Sequence, residues 1–248
     1  MANWQDPQTT GVGAASVSVP RAARDVGLRS YMLSVYNYMA SGVLLTGIVA
    51  MLFANSSLIN LIVNPATGQA TPLFWVTLFA PLGLVFWLSF GINRMSARTA
   101  QALFWVYAAL IGVQFSSLFL VYTGASIAQA FFATAAAFLG LSLYGYTTKR
   151  DLSGFGTFLI MGVVGLFVAM LLNIFLRSPG LNLAISAIGV LIFAGLTAYD
   201  TQKIKSMYFA VAGHGEMMAK SAVSGALTLY LDFINMFLFL LRFMGDRR

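Results

Sequence analysis

Seven long apolar stretches divide this chain, separated by short polar connections. They run approximately Tyr31 to Phe53, Phe74 to Ile92, Ala100 to Tyr122, Ser126 to Tyr146, Gly154 to Phe175, Leu183 to Tyr199 and Ser221 to Phe243. A helix needs about 20 residues to cross ~30 Å of hydrocarbon, so the pattern predicts seven membrane-spanning helices. The third and fourth are separated only by Thr123-Gly124-Ala125. Pro81 falls inside the second and predicts a kink there. Gly162, Gly165, Ser186 and Gly189 are small enough to allow close helix contact in lipid. The expected fold class is an all-α polytopic membrane protein. Residues 1–29 are expected to form a flexible tail, and residues 30–248 a seven-helix transmembrane domain. The tail has no apolar core of the kind found in cleavable signal peptides.

Composition agrees: 59% of residues are apolar, 8% are charged, and mean hydropathy is +0.83. Soluble proteins carry roughly a quarter charged residues. Without cysteine, disulfides, thiolate metal sites and cysteine nucleophiles are excluded. The net charge of +7 is scattered between apolar runs and forms no patch suited to nucleic acid. Membrane topology accounts for it better. Arg21, Arg24, Arg29, Arg94, Arg98, Lys149, Arg150, Lys203, Lys205 and Lys220 all fall on one side, which the positive-inside rule makes cytoplasmic. Arg177, Arg242, Arg247 and Arg248 fall on the other. A re-entrant seventh segment would bring the basic C-terminal end back inside. Its 23 residues suffice for a full span, which is the expectation.

Against this apolar background, charges inside spans are the informative residues, because an Asp at a helix centre costs about 2.5 to 3.5 kcal/mol on insertion scales. Asp232, in "LTLYLDFINMFLFLLRF", lies 11 residues into the seventh segment. Asp200, in "GLTAYDTQKIK", ends a run of 22 uncharged residues after Arg177. Thr228 and Asn235 lie at i−4 and i+3 from Asp232 and extend a polar stripe on its helix face.

The sixth and seventh segments are expected antiparallel neighbours, bringing Asp200 and Asp232 together. Helix-rise arithmetic leaves Asp200 shallower by about 5 to 10 Å, a gap that a recessed sixth helix closes. Two such acids in a low dielectric share a proton and titrate as a unit, a possible pH sensor. Arg94, in "FGINRMSAR", is the best-placed cation to latch them, with Arg98 in reserve. The structural alternatives are an interfacial pairing of Asp200 with Lys203 or Lys205, and a plain positive-inside anchor for Arg94. His214 has no partner histidine or cysteine for a metal. Asp151 or Ser153 is expected to cap the helix after "GYTTKRDLSGFG".

Two acids in a membrane also suggest an aspartyl protease, but the Gly-x-Gly-Asp and Pro-Ala-Leu of those enzymes are missing. A cation pathway is the second reading. Calcium takes about six to eight oxygen ligands, and one or two membrane carboxylates, Asp200 and Asp232, would hold it weakly enough to let it leave. A third is a non-conducting regulator that binds another membrane protein, such as a protease.

"GLTAYDTQKIK", "LTLYLDFINMFLFLLRF" and "SLYGYTTKRDLSGFG" closely resemble the bacterial branch of the transmembrane Bax inhibitor motif family. The resemblance covers about residue 30 to the end. It implies six helices around a central seventh, a pH-sensitive calcium leak, paired aspartates (Asp200 and Asp232) as sensor, and an Arg of the second helix as latch. The chain is expected to be a multi-pass protein of the bacterial cytoplasmic membrane, with its N-terminus inside by the positive-inside rule and with no cofactor. Some bacterial relatives look like modulators of a membrane-bound protease.

Overall fold

In the computed structural model, the described residues are 21–248 apart from Ala66 and Asn93, and nothing is described of the side chains of 21–24. They fold into helices α1 (Arg21–Ala54), α2 (Pro72–Gly91), α3 (Ala97–Phe115), α4 (Leu118–Val121), α5 (Gly124–Thr147), α6 (Ser153–Leu176), α7 (Pro179–Val211) and α8 (Gly215–Met244). A 3-10 turn, Ser57–Leu61, follows α1. The short α4 completes the third span, giving seven spans that are long and apolar enough to cross a membrane.

Helix starts follow local chemistry. Thr71, Ser96, Thr123 and Ser178 each precede a helix, and their side chains accept from the backbone N–H groups of Phe74, Thr99, Ser126 and Leu181. Such caps contribute about 1 kcal/mol each. Before α6 the same work is done by Asp151, whose Oδ1 accepts from the Ser153 amide at 2.9 Å. Bonds from Ser153 hold its carboxyl below the ordinary value of 3.8.

The C-terminal helix is the axis of the bundle. In α8, 67% of the spanning window is buried, against 11% to 33% in the others. Helices α7, α1, α5 and α3 pack on it, α2 rests mainly on α3, and α6 mainly on α7. The ring around the centre is therefore built in two layers. The most apolar span, α6, is the least buried, with Phe175 84% exposed, whereas the buried α8 contains Asp232. That inversion suits a solvent of lipid, where apolar side chains face outward at no cost and polar ones turn inward.

Two helix ends differ from the expected boundaries because a buried stripe continues past them, and a third because of a glycine turn. In α7, buried positions recur at Phe193, Thr197, Thr201, Ile204 and Tyr208, so the packing stripe runs past Tyr199 to Val211 despite Lys203 and Lys205. In α1, Leu28, Met32, Val35 and Met39 are buried at the same spacing, and the helix begins at Arg21. Residues 21–29, expected in the tail, are thus part of α1, while residues 1–20 lie outside the described residues. Helix α8 starts at Gly215, just after His214 and Gly213, whose φ of 89° closes the turn.

Helix α8 runs unbroken to Met244, so it is a full span. Beyond it, Arg248 donates its amide to Val121 O at 3.0 Å, and the Asp246 amide bonds Ser126 Oγ at 2.9 Å. The chain end is thereby tied to the α4–α5 turn, at the opposite end of the bundle from the α5–α6 and α7–α8 connections.

Candidate paired-carboxylate site

Antiparallel packing of α7 on α8 sets the site. Phe193 and Phe239 stack at 5.8 Å between ring centroids. Seven residues along each helix from that pair, two helical turns, come Asp200 and Asp232. On the far side, Ile204 packs against Gly225, where an added Cβ would lie 3.1 Å from the isoleucine. The extension of α7 to Val211 recesses Asp200 within its helix.

The two carboxyl groups are within hydrogen-bond reach of each other. Asp200 is 8% exposed and Asp232 4%. Among the described residues no donor reaches Asp232 Oδ2. The proton of a bond between these two acids must therefore be one of their own.

Around the pair the helices are joined by hydroxyls. Tyr36 Oη lies 2.6 Å from Ser142 Oγ, which lies 3.0 Å from Thr201 Oγ1, linking α1, α5 and α7 beside Asp200. Thr201 also reaches Thr197 O at 2.7 Å. Tyr31 and Ser221 hydroxyls meet at 2.7 Å. Further along the axis, Thr46 Oγ1 is 2.7 Å from Tyr230 Oη. Backbones touch where α5 crosses α7: a Cβ on Gly145 would lie 2.2 Å from Ala198 O. Only glycine permits this approach, two residues before Asp200.

The other expected residues lie elsewhere. Thr228 and Asn235 are half-buried and bond their own helix, Thr228 Oγ1 to Ser224 O at 3.1 Å and Asn235 Nδ2 to Leu231 O at 2.8 Å. Arg94 is exposed just past α2, and its amide bonds Gly91 O; Arg98 is exposed on α3. Neither forms an ion pair among the described residues. Lys203 is the cation whose attraction reaches Asp200, from over the Tyr199 ring at 5.9 Å. Lys205 is engaged differently, donating to Tyr146 O at 2.7 Å and lying 5.1 Å from that ring's centre. The structure thus brings Asp200 and Asp232 together and leaves both arginines outside.

Sequence reading missed Tyr36, Ser142 and Thr201. The signal available was the i, i+4 pair Thr197 and Thr201 on the buried stripe of α7; the partners on α1 and α5 had no local mark.

Among the described residues no three His, Asp or Glu side chains cluster. Two carboxyls supply at most four oxygens, fewer than the about six to eight that calcium takes. A hard cation here would need water or carbonyls for the remainder.

The family described as inhibitor of apoptosis-promoting Bax1 matches residues 28–248. Protein RP147 of Rickettsia prowazekii is 50% identical over 224 residues, 90% of this chain and 92% of that protein. A protein of Caulobacter vibrioides is 47% identical over 243 residues, covering 95% and 96%. The inner membrane protein YbhL of Escherichia coli K12 is 47% identical over 235 residues, covering 94% and 97%.

Proposed function

The chain belongs to the Bax inhibitor family, a family of membrane proteins, and from that footing we propose that it is a passive calcium leak gated by a proton shared between Asp200 and Asp232. The observation that supports this reading is the meeting of two buried acids with no other donor at Asp232 Oδ2. A shared proton ties α7 to α8. Its loss leaves two like charges in a low dielectric, an arrangement that needs a cation to be tolerated. In the alkaline state Arg94 supplies that cation and shuts the inner mouth. Because α2 rests mainly on α3, the latch requires the α2–α3 turn to swing towards the α7–α8 pair. Acid returns protons to the carboxyls, releases Arg94 and favours opening.

By the positive-inside rule, the end bearing Arg94, Lys149, Lys203 and the N-terminal residues faces the cytoplasm of a bacterial inner membrane. The carboxyls then exchange protons with the cytosol. Liposomes containing only the purified protein test conduction: calcium entry above protein-free liposomes is expected. No entry at any pH would remove the leak and leave a non-conducting regulator that acts through another membrane protein, such as a protease.

A further inference from the structure

At the end of the bundle where α5 passes into α6, a polar cavity of about 310 Å³ is lined by Lys149, Arg150, Lys203, Tyr199, Gln202 and Ser206, among others. None of its three cations forms an ion pair among the described residues. Asp151, the one acid at the cavity, bonds the Ser153 amide and leaves the cavity with two positive charges in excess. The turn that carries two of the three cations is held in place. Gln202 on α7 donates to Arg150 O at 2.8 Å and accepts from the Leu152 amide at 2.9 Å, pinning the turn against α7. Lys203 lies over Tyr199.

Below this cavity, along the same two helices, runs an apolar groove of about 530 Å³ between α6 and α7. Phe158, Gly162, Gly165, Ala184 and Ile188 are among its walls. An added Cβ on Gly165 would find no atom within 4 Å, so the space is open. Its walls on α6 run from Phe155 to Ala169, about 21 Å of helix rise, long enough to take an acyl chain.

We propose that Lys149, Arg150 and Lys203 bind the phosphate of an anionic phospholipid whose acyl chain lies in the α6–α7 groove. Three cations against the single carboxylate of Asp151, above an apolar groove long enough for an acyl chain, match an amphiphile with one anionic head and a long tail. Gln202 fixes the backbone of the turn and Tyr199 backs Lys203, which lowers part of the ordering cost of binding.

Native mass spectrometry of the purified protein in mild detergent tests it, with phosphatidylglycerol and phosphatidylcholine of identical chains as probes. Phosphatidylglycerol is expected to be retained preferentially. The K149Q/R150Q/K203Q variant should retain about a hundredfold less, given roughly 1 kcal/mol for each of the three basic residues at an anionic headgroup. K149R/K203R should keep the preference, which separates loss of charge from loss of fold. Gly165→Leu, which fills the groove without touching a cation, should also lose the lipid. Glycerol phosphate without chains should not compete. Equal retention of the two lipids, an unaffected triple variant, or displacement by glycerol phosphate alone would each overturn the assignment.

Discussion

Asp200 and Asp232 face one another across the α7–α8 interface within hydrogen-bond reach, two turns from the stacked rings of Phe193 and Phe239. Seven residues separate the members of each helix, so the acids and the rings occupy one continuous seam. Aromatic stacking fixes the register of the helices, and the register places the carboxyls together. Both acids are buried on that seam, Asp200 8% and Asp232 4% exposed.

The crossing of α5 over α7 positions one side of that seam. Gly145→Val is expected to force the backbones apart at Ala198, costing about 1 to 3 kcal/mol of stability. Gly140→Val, on the same helix with nothing within 4 Å of the added Cβ, should be near neutral. Thermal unfolding in detergent distinguishes the two, and only the Gly145 variant should also disturb proton-dependent flux.

Hydroxyl pairs in the core predict an asymmetry. Thr46→Val strands the fully buried Tyr230 hydroxyl, at a cost of about 1 to 3 kcal/mol. Tyr230→Phe leaves Thr46 with the carbonyls of Gly42 and Ala108, both at 2.9 Å, and should cost about 1 kcal/mol or less in polar terms. Melting temperatures of the two variants, ranked in that order, check the assignment.

Outside the membrane, Asp151 carries a pH dependence of definite sign. Its carboxyl is held below the ordinary value by Ser153, so its support of the α6 start is complete above that ordinary value. It is lost as pH falls through the lower folded value. Hydrogen-exchange protection of the Ser153 amide should therefore hold above the ordinary carboxylate range and drop as pH falls below it. Asp151→Ala should abolish the dependence.

Much of this was legible in the sequence. Seven apolar windows give seven spans because length and hydropathy alone decide insertion. Asp200 and Asp232 stood out because charges in lipid are expensive. The ends of α1, α7 and α8 were not legible from hydropathy, since Lys203 and Lys205 interrupt the apolar run while Ile204 and Tyr208 continue the buried stripe. Spacing rather than polarity marks those ends. The link from Tyr36 through Ser142 to Thr201 joins three helices distant in sequence, and only their packing creates it. Thr228 and Asn235 share the face of Asp232, yet each hydroxyl or amide found a carbonyl of its own helix first.

The most direct test is calcium flux into liposomes containing only the purified protein, measured between roughly pH 6 and pH 8, with Asp200→Asn and Asp232→Asn beside the wild type. An asparagine imitates a carboxyl that holds its proton. The account predicts that wild-type flux rises as pH falls, and that Asp200→Asn leaks several-fold more than wild type near neutrality with a flattened profile. Wild-type pH dependence retained unchanged in both variants would contradict it.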